Sequence, residues 1–175
     1  MNKNIIIVSS VILFGILGYF FFNQQVNNDT PLQKESISKQ TFKITPQSQV
    51  VDKQASFAIF TNGTFRVFTA SMYHNLSDDV FIQADNPNII HIKKAGVTWN
   101  DFFSTLLFKL THDCLITGTK ETFCTGDNGT LKFYLNGEIN GKVLDQEIKD
   151  GDKLLVTYGS ESEDIIKKQI DQIPL

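Results

Sequence analysis

Eighteen consecutive residues near the N-terminus, Ile5 to Phe22, carry no charge (IIIVSSVILFGILGYFFF). A helix of that length rises about 27 Å, just enough for a hydrocarbon core of roughly 30 Å. Residues 1–22 therefore read as an N-terminal transmembrane anchor. A cleaved signal peptide competes with this reading, because Lys3 and the terminal amine form a small positive n-region. Cleavage favours small residues at the end of the apolar run, whereas this run ends in Tyr19, Phe20, Phe21 and Phe22. No cysteine follows closely to accept a lipid, so the retained anchor is preferred. Lys3 flanks one end, and no lysine follows the other until Lys34. The positive-inside rule then puts the N-terminus in the cytoplasm and the rest outside, a single-pass protein of the cell membrane.

Residues 23–50 are polar, hold Pro31 and Pro46, and show no sustained period. Such a stretch buries too little to order itself and reads as a flexible linker. About 125 residues remain, enough for one modest core. They divide into a folded domain at 51–160 and an amphipathic C-terminal helix or tail at 161–175. Sixteen Lys and Arg against nineteen Asp and Glu give a net charge of −3. No basic surface dominates, which argues against a nucleic-acid partner.

The first strands fall at Phe57–Phe60 and Thr64–Phe68, joined through Asn62-Gly63, a strong hairpin signal because both residues tolerate positive φ. Residues 70–88 look irregular, and Ile89–Ile92 reads as a short strand. Thr98 opens the clearest element, with Asp101 answering it as a capping box. Trp99, Phe102, Phe103, Leu106, Leu107 and Leu110 follow at helical spacing and predict a core helix of about three turns. Strands are expected at Cys114–Thr117, Thr122–Cys124, Thr130–Leu135 and Lys153–Tyr158, and an amphipathic helix at Glu161–Ile173. Strands around one long helix indicate an α+β fold. The order of hairpin, helix and returning strands is that of a β-grasp, or ubiquitin-like, ectodomain.

Gly96-Val97-Thr98 at the helix start, TLKFYLNG at 130–137 and IKDGDKLLVTYG at 148–159 resemble two related groups. One comprises uncharacterised single-pass membrane proteins of small-genome archaea and bacteria, and the likeness spans roughly residues 55–160. The more distant one is a domain of unknown function found at the C-terminus of cobalamin-carrier proteins, similar over 96–159. Some members of the first group carry a His-rich stretch before the helix; this chain has His91 there, followed by Lys93 and Lys94.

Cys114 and Cys124 would face each other across a hairpin, and outside the cytoplasm they are expected to form a disulfide. A redox pair would need tighter C-x-x-C spacing. His112-Asp113-Cys114 holds the letters of a nucleophilic triad, but neighbours on one segment rarely meet side chain to side chain. His74 and His91 are weak candidates for a metal, without a recognised ligand spacing. Asn62, Asn75 and Asn128 begin glycosylation sequons. No cofactor is expected, and no enzyme template is satisfied.

The sequence thus leads to a non-catalytic binding module on a membrane anchor. Its protein partner is expected at an edge or an exposed face of the sheet. A small-molecule carrier, implied by the more distant resemblance, would instead need an apolar cavity. A thiol- or metal-dependent enzyme ranks third.

Overall fold

The computed structural model describes residues 49–174. The expected anchor at 5–22 and all but the end of the linker at 23–50 lie outside them. Among the described residues no helix is long and apolar enough to cross a membrane.

The frame is a mixed sheet built on β1 (Val50–Thr61) and β10 (Lys153–Gly159). These two run parallel at its centre, in register from Ser56↔Lys153 to Thr61↔Tyr158. On one side β1 pairs antiparallel with β4 (Ile89–Lys94), which pairs with β3 (Val80–Ile82) at the edge. On the other side β10 pairs antiparallel with β8 (Thr130–Leu135), followed by β9 (Glu138–Ile139). The order is β3-β4-β1-β10-β8-β9, with β2 (Thr64–Phe65) hairpinned back onto β1. A smaller sheet holds β5 (Lys109–Leu110), β6 (Cys114–Ile116) and β7 (Thr122–Cys124). The fold class is α+β, as the sequence indicates.

A strand pair at a sheet's centre is buried on both faces and needs a nearly continuous apolar run. Ala55–Phe60 and Leu154–Val156 supply it. Phe57, Ile59, Leu154 and Val156 point into the main core, with Ile82, Ile90, Phe133 and the aromatics of α1 (Trp99–Thr105). Ala58, Phe60 and Leu155 alternate to the opposite face, where Ile166 and Ile173 cover them from α2 (Glu163–Ile170) and the turn after it. Phe57 is the aromatic hub, with ring centroids 5.2 Å from Phe68 and Phe102 and 5.8 Å from Phe103.

Turn chemistry sets the register. Asn62-Gly63 and Asn136-Gly137 both carry positive φ (50° and 74°, 53° and 86°), the backbone that a two-residue hairpin requires. Asn136 also reaches into the Asp-Gly-Asp turn: its amide donates to Asp152 Oδ1 at 2.9 Å, and its Oδ1 accepts from the Lys153 amide at 2.9 Å. Asp152 Oδ2 accepts from Lys149 N, and Asp150 Oδ1 from Gln54 N. The Asn-Gly and Asp-Gly-Asp motifs are therefore joints of the sheet, which explains those residues without a ligand.

Two expectations are corrected. The helix is capped at Thr98 by the reciprocal bonds with Asp101, but it ends at Thr105 instead of running to Leu110. Thr105 Oγ1 donates to the Phe102 carbonyl at 2.8 Å, a local bond that competes with helix continuation. Leu106 is extended (φ −82°, ψ 157°), and the chain bends through Leu107 and Phe108 into β5. Leu106 and Leu110 remain buried, whereas Leu107 is 48% exposed and is not a core residue. A spacing of four satisfies both the helical period and the strand period. Only Leu107 distinguishes them. Residues 70–88, expected to be irregular, contain a 3-10 turn at Ser71–Tyr73 and the edge strand β3.

Two outcomes test this packing. Phe57→Ala is expected to cost about 3–5 kcal/mol in chemical denaturation, because it empties a fully enclosed site. Leu107→Ala should cost less than about 0.5 kcal/mol; a loss of core magnitude there would restore the long helix. A third outcome concerns pH. Glu147 accepts from the Gly96 amide at 3.1 Å and from Lys53 Nζ at 3.2 Å, which together hold its carboxyl below the usual glutamate range. A lowered folded value contributes stability that is complete above the unfolded value and lost as pH falls through the folded one. Glu147→Gln should therefore lower stability slightly in the neutral region and leave the acid end nearly unchanged, which flattens the acid limb of the stability curve.

Candidate functional site

Beside the large sheet, an open groove of about 660 Å³ runs between four segments. The hairpin strand β2 and its continuation through Phe68 form one wall, and the 3-10 turn with Met72 and Tyr73 forms the next. The bent segment after α1, with Leu107 and Phe108, faces them, and the β6–β7 hairpin closes the groove. Ile59, Phe68 and Leu115 make a buried floor continuous with the main core. Val67, Met72 and Leu107 stand at the rim, 63%, 52% and 48% exposed. Isolated exposed apolar side chains are ordinary. Three around one apolar depression form a patch of the kind that marks a binding site.

The walls are held by specific chemistry. Phe68 packs edge-on against Tyr73 (5.3 Å) and tilted against Phe108 (5.9 Å), which ties three segments together. The β6–β7 turn is ordered by Thr117, whose Oγ1 accepts from the Glu121 amide at 3.1 Å and shares a hydrogen bond with Thr119 Oγ1 at 2.9 Å. A Cβ at Gly118 would lie 3.0 Å from the Leu107 carbonyl oxygen, so a residue without one lets this turn close on the segment after α1. Behind the turn, Cys114 and Cys124 are paired residues of β6 and β7 and form the expected disulfide.

Arg66 and Glu121 are the charged residues of the lining. Arg66 Nε donates to Thr61 Oγ1 at 2.6 Å, and its guanidinium carbon lies 5.0 Å from the centre of the Phe123 ring. Its contact with Glu121, NH1 to Oε2, is longer at 3.5 Å.

The residues singled out in the sequence lie elsewhere, apart from Leu107 on the rim. His74 Nε2 lies 2.9 Å from the Phe68 carbonyl oxygen. His91 stacks on Phe81 across the β3–β4 pair, at 5.3 Å and 18°. Among the described residues no group of three His, Cys, Asp or Glu side chains is placed to hold a metal ion. His112 sits 3.4 Å from Asp145, and Cys114 is committed to Cys124, so the His112-Asp113-Cys114 trio does not assemble into a site. Sequence reasoning did not identify the groove. The available signal was Met72, a large apolar residue in a stretch without a pattern, whereas Val67 was expected in a strand and Leu107 in the core helix.

The chain-entropy argument gives a disulfide closing so short a loop about 2–3 kcal/mol of stability. Replacing both cysteines by serine should lower the unfolding free energy by about that amount. In hydrogen exchange the β6–β7 amides should lose protection before those of β1 and β10; uniform loss across the domain would contradict a local staple. Compared with known proteins, the chain matches no protein-family model, no curated protein and no solved structure.

Proposed function

We propose that this chain is a membrane-anchored, non-catalytic binding module whose ligand seats in the apolar groove between β2, the 3-10 turn, the segment after α1 and the β6–β7 hairpin. The observation that carries it is the groove's makeup: a buried apolar floor with three large apolar side chains exposed at its rim. Its volume of about 660 Å³ lies within the roughly 300–1,000 Å³ of small-molecule sites. An apolar cavity is also what separates a small-molecule carrier from a module that binds through a flat sheet.

Strand addition at a sheet edge has less support. The edge strands β3 and β9 are three and two residues long, too short to template a long partner strand. α1 and α2 lie over opposite faces of the central pair.

The β-grasp reading rests on the order of strands about that pair. The first and last strands lie parallel and adjacent, flanked by β4 on one side and by β8 and β9 on the other, with α1 between β4 and β8 in sequence. The extracytoplasmic position rests on the uncharged run at 5–22 and on the Cys114–Cys124 bond, since disulfides persist in oxidising compartments.

The test is nuclear magnetic resonance on the full-length chain in phosphatidylcholine nanodiscs, titrated with the neutral aromatic probe 1-naphthaleneacetamide. Saturable shifts are expected at the amides of Val67, Leu107, Leu115 and Thr119. Val67→Asp should weaken them about tenfold or more, while the stability of the domain stays within about 0.5 kcal/mol. Shifts scattered over both sheet faces, or none, would sink the reading.

A further inference from the structure

We infer that the groove takes an organic acid, an apolar body with one carboxylate, because its lining sets the guanidinium of Arg66 beside an apolar floor and pairs it only loosely. This rests on the binding-groove reading above and adds the ligand's chemical class.

A guanidinium offers five N–H donors in a planar fork. Among the described residues the Arg66 side chain makes two protein contacts, a short one from Nε to Thr61 and a long one from NH1 to Glu121. Thr61 is buried, and the guanidinium lies over the Phe123 ring, so the fork is oriented before any ligand arrives. Pre-orientation lowers the ordering cost of binding. The donors left over suit the two oxygens of a carboxylate, which can accept them side by side.

Glu121 is the other charge at this lip. It belongs to the β6–β7 turn, its side chain is 54% exposed, and its oxygen stands 3.5 Å from NH1, at the outer limit of a hydrogen bond. It is a weak internal competitor for the guanidinium, which an incoming carboxylate can displace into water. A cationic ligand would have to sit against Arg66 to reach Glu121. A neutral ligand would leave the fork as it is. The remaining polar lining is uncharged: Thr117 and Thr119 share a hydrogen bond with each other, and the Thr64 hydroxyl can donate to an anion.

The experiment compares two probes with the same aromatic body on the full-length chain in phosphatidylcholine nanodiscs, with empty nanodiscs as reference. These are 1-naphthaleneacetate and its neutral amide. The acid is expected to bind at least tenfold more tightly, with shifts at the same groove amides. Arg66→Gln should bring the acid to the amide's affinity and leave the amide's unchanged. Glu121→Gln, at an exposed position that leaves the fold intact, should tighten the acid severalfold without affecting the amide. Equal affinity of the two probes on the native chain overturns the acid assignment while the groove reading stands, and so does equal weakening of both by Arg66→Gln. Binding of neither probe overturns both.

Discussion

The structure depends on one pairing: the first strand of the domain lying parallel to the last. β1 and β10 stand about a hundred residues apart in sequence, and the rest of the sheet and α1 lie in the chain between them. Parallel neighbours cannot be joined by a tight turn. Everything between β2 and β8 is in effect one crossover, carrying a helix and a second small sheet on its way back. Because the pair is central, each residue of Phe57–Phe60 and Leu154–Val156 is buried on one face or the other. A one-residue slip would exchange Phe57 and Ile59 with Ala58 and Phe60, and so set the wrong volumes against α1 and α2.

That slip is resisted at the far end of the pair by hydrogen bonds instead of packing. Asp152 is buried and accepts from both Asn136 and Lys149, while Asn136 answers to the amide of Lys153. Two turns distant in sequence thus lock together where β8, β10 and β1 converge. Asp150 extends the lock to β1 through Gln54. This is why the most recognisable stretches of the chain, the Asn-Gly and Asp-Gly-Asp segments, contribute nothing to the groove.

Much of this was legible in the sequence, because turns and strand cores are local facts. Asn62-Gly63, Asn136-Gly137, the span Thr130–Leu135 and the capping box at Thr98 are set by residues within reach of one another. The end of the helix was not legible. Leu106 and Leu110 suit a helix or a strand equally well, and the choice turns on Thr105 bonding back to Phe102 and on a core that already holds Trp99, Phe102 and Phe103. The groove was hidden for the same reason. It consists of segments from four parts of the chain, and none of them shows a pattern until the sheet has placed them side by side.

The short helix and the groove are one event. Had α1 gone on to Leu110, Leu107 and Phe108 would lie on a third helical turn, and the depression between that turn and Phe68 would have different walls. By leaving the helix at Leu106 the chain lays Leu107 and Phe108 along the rim, opposite Val67 and Met72. The β6–β7 hairpin then closes on them at Gly118, where a Cβ would crowd the Leu107 carbonyl. The disulfide fits this geometry. β6 and β7 are three residues each, too short to hold a wall by pairing alone, and Cys114–Cys124 supplies the missing constraint behind the turn that carries Thr119 and Glu121. The covalent bond sits where an apolar floor meets water and backbone pairing is short. A wall that must stay in place with one side unpacked is where a small domain needs such a bond.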